Sequence, residues 1–223
     1  MDVKTKRADQ IGLAAARANR SCLANAGRRA NDRSMDEFQS LAGRLLVAMP
    51  GISDPRFEHA VILICAHRPD HAMGLRLDRP APGVNLKKVL TKLDTPLPPD
   101  ADSRAVLIGG PVDRERGFVL HTDDWLVDDA SLAFGAGFAM TGTREALLAM
   151  VDPETGPHRS VLLLGYAGWG DGQLEDELGE NVWLVADADP ELIFDPDHES
   201  KWSRVLAGLG VDPAQLSGQI GRA

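Results

Sequence analysis

The chain has few cysteines, few aromatic residues and no long hydrophobic run. Its 223 residues include two cysteines, Cys22 and Cys65, too few for a disulfide framework or a cysteine-rich metal site. No stretch approaches the roughly 20 uninterrupted apolar residues that span a bilayer. We therefore expect a cytoplasmic protein with reduced thiols and no membrane contact.

The sequence also lacks the short motifs that identify common enzyme classes. It has no Gly-x-Ser-x-Gly turn, no phosphate-binding loop ending in Gly-Lys-Ser/Thr, no His-Glu-x-x-His and no Cys-x-x-Cys. His67 and His71 have the spacing of two metal ligands on a helix, but Pro69 between them prevents a helix there. We predict a polar β-turn at this position, and neither a metal nor a cofactor.

A second polar segment, "HTDDWLVDD" at 121–129, groups His121 with four aspartates. Ion-binding loops usually place a glycine where the chain turns sharply between ligands, and here Trp125-Leu126-Val127 occupies that place. A solvated acidic turn is the favoured interpretation. His121 itself ends a predicted strand and is the candidate for an acid–base role.

Charge is distributed unevenly along the chain, whose formal net charge is −9. Residues 1–34 hold eight basic and three acidic side chains, and residues 35–223 hold 16 basic and 30 acidic ones, a formal charge of −14. We expect residues 1–34 to be a disordered basic extension upstream of a natural start at Met35, with an organellar transit peptide and a nucleic-acid arm as alternatives. An acidic body disfavours direct nucleic-acid binding.

Short apolar runs bounded by glycine and proline predict strands, and helical spacing is less frequent. Strands are expected at 44–49, 60–66, 73–77, 105–108, 117–121, within 132–140, at 160–166 and at 182–187. Helices are expected at 86–93, 143–150, 172–181 and 200–209, with short turns after Asp189 and Pro213. Strands that follow one another without helices between them indicate an α+β fold with a mixed or largely antiparallel sheet.

The segment "GYAGWGDGQLEDEL" at 165–178 has the strand–loop–helix context of phosphate-binding sites, but its glycine spacing does not fit them. Gln173 and Glu175 stand where the third small residue would be needed, and four acidic residues crowd the helix start. Leu174, Leu178 and Val182 predict the buried stripe, with the acids on the solvent side. Whether Trp169 and Gln173 face a ligand or the core stays open at this point.

Several segments together resemble the YqgE/AlgH family of bacterial proteins. They are "AMPGISDPRF" at 48–57, "AMGLRLDRP" at 72–80, "GGPVDRERGFVLH" at 109–121, the glycine-rich segment above and "NVWLVADAD" at 181–189. Their order and spacing hold from about Leu41 to the C-terminus, so the resemblance covers residues 35–223 and leaves residues 1–34 uncovered. Asp78 stands where asparagine is expected, and the chain ends in Gly-Arg-Ala rather than Gly-His-Ala.

The resemblance implies a single α/β-type domain whose bifurcated, partly barrel-like sheet is surrounded by helices. It implies no catalytic residues, and some members are called putative transcriptional regulators. We therefore expect a non-enzymatic binding or regulatory protein with an unidentified protein or small-molecule partner; the alternative is an enzyme of unassigned class with a polar cleft around His121. Seven residues are candidates for ligand contact: Asp54, Arg56, Gly110, Arg116, His121, Trp169 and Gln173.

Overall fold

A computed structural model describes residues 38–212, apart from residues 51, 53, 96 and 102. The predicted basic extension at 1–34 and the predicted turn after Pro213 lie outside the described residues. The described chain forms ten strands and five helices. The strands are β1 Arg44–Ala48, β2 Val61–Arg68, β3 His71–Arg76, β4 Pro80–Asn85, β5 Ala105–Ile108, β6 Val112–Thr122, β7 Ser131–Phe134, β8 Phe138–Thr141, β9 Ser160–Trp169 and β10 Trp183–Asp187.

The helices are short and lie between groups of strands. They are α1 Leu86–Lys92, α2 Arg144–Ala149, α3 Gln173–Gly179, α4 Pro190–Ile193 and α5 Lys201–Gly208. Asn85 and Thr143 cap the N-termini of α1 and α2 by accepting hydrogen bonds from Lys88 N and Ala146 N. No helix in the described part of the chain is long and apolar enough to cross a bilayer.

The strands form one mostly antiparallel sheet, curled into a half-barrel. Its order is β10-β1-β2-β3-β9-β6-β8-β7, and β4 joins through β5, which runs parallel to β9. The predicted α+β class, the largely antiparallel sheet and the bifurcated, partly barrel-like form are therefore confirmed. The turn between β7 and β8 reaches the start of β1, where the backbones of Gly43 and Gly135 touch at positive φ.

Strand β9 is where the sheet divides. Residues 162–164 of β9 pair with β5, whereas residues 167–169 pair with β3 on the same side of the strand, and β6 pairs along the opposite side. Between β5 and β6 the chain crosses over β9. A Cβ on Gly110 would overlap the backbone of Tyr166, and one on Gly109 would overlap the carbonyl oxygen of Gly165. The two glycines of the Gly-Gly-Pro-Val motif thus allow the crossing.

Three hydrophobic clusters cover both faces of this sheet. The largest draws side chains from most strands and from α4 and α5. The second lies between the outer side of β1–β3 and α3, and includes Ile62, Ile64, Trp169, Leu174 and Trp183. The third packs α1 and α2 against β5, β6 and β9. Strands β1 and β2 are buried on both faces, which explains their continuous apolar sequence.

Candidate functional site

The glycine-rich turn after β9 is closed by its own polar groups. Gly172 precedes α3 with φ of 67° and contributes no side-chain cap. Instead the Gln173 side-chain oxygen accepts a hydrogen bond from Gly170 N at 3.1 Å, and Gln173 N donates to Gly170 O at 3.2 Å. The positive φ explains why glycine stands at position 172. The turn is a rigid strand-to-helix connection.

The carboxylate of Glu177 accepts hydrogen bonds from three side chains at this turn. Its Oε2 accepts from Trp169 Nε1 at 2.9 Å and from Trp183 Nε1 at 2.7 Å, and its Oε1 accepts from Gln173 Nε2 at 2.8 Å. Trp169 and Trp183 are 5% and 4% exposed and meet edge to face at 6.2 Å between ring centroids. Trp169 therefore faces the core. Glu177, one of the acids predicted to lie on the solvent side, is partly buried, because two buried indole N–H groups require an acceptor.

Asp54 and Arg56 lie beside the same aromatic cluster. Arg56 Nη2 is 2.6 Å from Asp54 Oδ2, and Phe57 contacts Trp183 edge to face at 5.7 Å. The hydrogen bonds from Arg56 lower the pKa of Asp54. The Arg56 side chain is 63% exposed, so this local ion pair leaves its guanidinium accessible to solvent.

A buried ion pair that sequence reasoning missed fixes this loop. Arg76 and Asp78 are 5% and 9% exposed, and Arg76 Nη2 is 2.6 Å from Asp78 Oδ2. The Arg76 guanidinium also donates to the backbone oxygens of Arg56 and Glu58, while Asp78 accepts from Val61 N at 2.8 Å. The available signal was the Arg-x-Asp spacing, which places both side chains on one face of an extended chain. Asp78, at a position where asparagine was expected, thereby supplies the full charge that pairs with Arg76.

Gly110 and Arg116 belong to the crossing over β9. Arg116 is half-buried, and its guanidinium lies 4.9 Å from the centroid of the Phe118 ring, which itself contacts Tyr166 edge to face. Between Val112, opposite Tyr166, and Gly117, opposite Leu164, β6 contains a bulge. Residues 113–115 of this bulge are exposed and charged, and Asp113 has φ of 53°.

His121 is buried, and both of its ring nitrogens form hydrogen bonds within the protein. Its Nδ1 is 2.8 Å from Thr122 O, so Nδ1 carries the hydrogen, because a carbonyl oxygen only accepts. Nε2 is then the acceptor for Thr141 Oγ1 at 2.9 Å, and Trp125 covers the ring at 5.3 Å between centroids. Burial lowers the pKa of His121, which favours the neutral ring. The ring of His121 is 0% exposed and is therefore not open to solvent.

The structure does not bring the seven candidates together. His121 is opposite Ser160 at one end of β9, and Trp169 is at the other end. At about 3.3 Å per residue the two positions are about 30 Å apart. Asp54, Arg56, Trp169 and Gln173 share the region around the Phe57–Trp183–Trp169 cluster, Gly110 and Arg116 lie at the crossing, and His121 stands alone.

The two polar segments considered as metal sites have other roles. The segment at 67–71 is the predicted β-turn, between β2 and β3. His67 Nδ1 accepts from Leu41 N at 3.0 Å and its Nε2 donates to Glu175 at 2.8 Å, whereas His71 is bound to Asp70. Within residues 38–212, the described positions contain no group of three or more potential metal ligands. In the acidic segment, Asp124 pairs with His158 at 3.1 Å.

Comparisons with known proteins agree with this architecture. Residues 45–214 match the AlgH-like family. A UPF0301 protein of Caulobacter vibrioides is 54% identical over 188 residues, which cover 84% of this chain and 96% of the relative. A UPF0301 protein of Jannaschia is 46% identical over 189 residues, covering 84% of this chain and 98% of the relative.

Two solved structures have the same fold. The solution structure of the AlgH protein from Pseudomonas aeruginosa aligns with a TM-score of 0.67 at 38% identity, covering 86% of this chain and all of that one. A crystal structure of a Corynebacterium diphtheriae protein aligns with a TM-score of 0.63 at 22% identity over 82% of this chain and 94% of that one, and supports the fold alone. The chain belongs to the AlgH-like family.

Proposed function

We propose that this chain is a non-enzymatic binding protein with a regulatory role, which contacts a partner protein in the bacterial cytoplasm through residues 109–116 and 168–173. These two segments are neighbours, because Val112 lies opposite Tyr166, three residues before Trp169 on β9. The distance along the strand is about 10 Å. The proposal rests above all on the bulge at 113–116.

The bulge presents a set of exposed charges of both signs. Asp113, Arg114 and Glu115 are exposed, and Val112 beside them is 39% exposed, although Val112 belongs to a strand. The crossing at Gly110 holds one end of the bulge and the packing of Phe118 holds the other. Bulges of this kind direct side chains outward at functional sites, and alternating charge favours a complementary protein surface.

The geometry around His121 gives little support to the enzyme alternative. A general acid or base must reach a substrate proton through a free ring nitrogen or one water molecule. Both nitrogens of His121 are bonded within the protein and its ring is 0% exposed. Direct contact with DNA is also disfavoured by the charge of −14 on residues 35–223. We propose instead that any effect on gene expression is exerted through a protein partner.

The proposal is tested by quantitative affinity capture from bacterial extract with the full chain and two double variants. Arg114→Ala with Glu115→Ala removes exposed charges of opposite sign from the bulge without changing net charge. The matched control is Lys92→Ala with Glu154→Ala, also exposed and of opposite sign. We expect a defined partner to bind the wild type and the control, and to be lost from the bulge variant. Equal capture by all three proteins, or no partner at all, would reject the proposed surface.

A further inference from the structure

A cleft of about 700 Å³ opens at the end of β9 opposite to the proposed partner surface. Three parts of the chain form it: residues 98–100 and Arg104 before β5, residues 150–153 and 157–160 leading into β9, and residues 191 and 194–196 around α4. Its volume lies within the roughly 300–1,000 Å³ of small-molecule sites. None of the seven sequence candidates lines it.

The cationic group inside this cleft is Arg104, whose side chain is 25% exposed. Its Nη1 donates to Met150 O at 3.0 Å, and its Nη2 donates to Ser160 Oγ at 3.1 Å and Ser160 O at 3.4 Å. These acceptors are neutral and fix the plane of the guanidinium. Three of its five N–H groups account for these bonds, so N–H groups on Nε and Nη1 are left for a ligand.

The charge of Arg104 is only weakly balanced by the protein. Among the described residues, the carboxylate within ion-pair range is that of Asp100, with Oδ2 at 3.9 Å from Nε, too far for a hydrogen bond. Burial accordingly lowers the pKa of Arg104, with Asp100 opposing this effect. A partly desolvated guanidinium that is held in place and lacks a hydrogen-bonded carboxylate can donate a charge-assisted hydrogen bond to a ligand carboxylate.

The rest of the cleft is apolar in its walls and acidic at its rim. Phe194, Met150 and Val151 together with several prolines form the walls. Four carboxylates surround them, from Asp100, Asp152, Glu191 and Asp195. Hydrogen bonds lower the pKa of Asp152 and of Asp195, so both are ionised at neutral pH. Arg159, the second arginine of the cleft, is already paired with Glu191 at 2.5 Å.

The Arg104 guanidinium, the apolar walls and the acidic rim together favour some anionic ligands over others. A phosphate or other compact polyanion would approach Arg104 past the carboxylates of Asp100 and Asp152, whose repulsion disfavours it, whereas Glu191 and Asp195 are already paired with Arg159 and Arg204. A ligand that carries one carboxylate, apolar side chains and a cationic group would match the guanidinium, the walls and the rim together. Prolines add a rigid apolar surface that loses little entropy when a ligand binds.

We propose that the cleft binds a short peptide with a free carboxyl terminus, which pairs with Arg104, while apolar side chains pack on Phe194 and Met150 and the amino terminus faces the acidic rim. Along β9, the cleft at Ser160 lies about 13–20 Å from the bulge at 113–116, whose flanks pair with Leu164 and Tyr166, and it does not depend on the proposed partner surface. A free peptide and the carboxyl terminus of a protein share this chemistry, and the experiment separates them through the amino terminus.

The test is calorimetric titration of the full chain with the tripeptide Ala-Leu-Leu in three forms: unmodified, amidated at the carboxyl terminus and acetylated at the amino terminus. We expect amidation to weaken binding at least about tenfold, because a charge-assisted hydrogen bond is lost. Acetylation weakens binding of a free peptide, whereas equal binding of the acetylated form indicates a protein carboxyl terminus as the ligand. Equal binding of the acid and the amide, or no binding of the acid, would overturn the proposal.

Variants and a competing anion provide the controls. Arg104→Gln should abolish the preference for the acid over the amide, whereas Arg44→Gln, in a half-exposed arginine that is ion-paired on β1, should leave it unchanged. If Arg104→Gln does not fold, the difference in affinity between the acid and the amide for the wild-type protein still tests the proposal. Inorganic phosphate that binds as tightly as the tripeptide would contradict selection by the acidic rim.

Discussion

Lys201 is the most deeply buried charged side chain of the described residues. It is 0% exposed, and its Nζ donates to Ile193 O at 2.6 Å. Burial lowers the pKa of Lys201 to about 8, and the nearby carboxylate of Asp195 opposes this effect. A single backbone oxygen does not replace the hydration of an ammonium group. The burial of Lys201 that connects α5 to α4 therefore lowers the free energy of unfolding.

This burial predicts a pH dependence of stability in the alkaline range. The pKa of Lys201 is about 8 in the folded protein, and the ordinary pKa of lysine is 10.5, so between these two pH values the unfolded chain binds more protons. The free energy of unfolding contributed by this group therefore rises with pH across that window, by roughly 3 kcal/mol if the whole shift is realised. Denaturant titrations from pH 7 to 10.5 measure it.

Lys201→Met separates this contribution from other titrations. The variant should keep the fold, lose the rise above pH 8 and be at least as stable as the wild type at pH 7. Lys92→Met, which changes an exposed lysine, should retain the wild-type profile. A Lys201→Met protein with the same alkaline rise would show that another group causes it.

Glu177 offers a second test at the scale of one side chain. Glu177→Ala leaves the N–H groups of Trp169 and Trp183 buried without their acceptor, so we expect a loss of about 2–4 kcal/mol in the free energy of unfolding. Glu180→Ala, an exposed change at the end of the same helix, should stay within about 0.5 kcal/mol of the wild type. Urea titration followed by tryptophan fluorescence measures both. Similar stability of the two variants would mean that the carboxylate does not hold the turn.

At the scale of elements, periodicity predicted most of the sheet, and the errors have local causes. The strand at 105–108 was predicted with its observed bounds, but β4 was missed because Pro80, Pro82 and Gly83 read as a loop. Proline is compatible with β4 because this strand pairs only with β5 in the described structure. One strand predicted within 132–140 is a hairpin of β7 and β8, since Gly135 and Gly137 adopt positive φ.

The candidate site was less predictable than the fold. Residue type alone cannot show that His121 lies beneath Trp125, because the contact depends on strands β6 and β8 pairing in register. Arg104 was not singled out, because its cleft joins residues that are as far apart in the chain as Pro98 and Pro196. Ligand contact by the seven sequence candidates stays a prediction, whereas Gly110 and Trp169 have clear structural roles.

The crossing of the chain over β9 predicts how two glycine substitutions change the stability of the protein. Gly110→Ala places a Cβ into the backbone of Tyr166, which β9 cannot accommodate, so we expect a loss above about 3 kcal/mol or failure to fold. Gly179→Ala at the end of α3, where nothing lies within 4 Å of the added Cβ, should be neutral or stabilising by up to about 1 kcal/mol. Thermal unfolding monitored by circular dichroism compares the two. A stable Gly110→Ala protein would contradict the crossing.

At the scale of the whole molecule, the opposite charges of the two parts of the chain predict how it responds to DNA. A protein of residues 35–223, with a charge of −14, should not shift duplex DNA even at about 50 mM salt. Any salt-sensitive binding by the full chain should then reside in the basic residues 1–34. Electrophoretic mobility shifts of both proteins on the same duplex decide this. Binding by residues 35–223 would require a basic surface and would favour a direct regulator.

The position of β9 in the sheet has a consequence for synthesis of the protein. Strands β3, β5 and β6 all pair with β9, yet β9 is completed only at Trp169, long after β6 ends at Thr122. On the ribosome these strands emerge without their shared partner, and pairings between distant parts of a chain form slowly. Although β3 can pair with β2 and β5 with β4, we expect the edges of β3, β5 and β6 that face β9 to stay exposed until β9 leaves the exit tunnel.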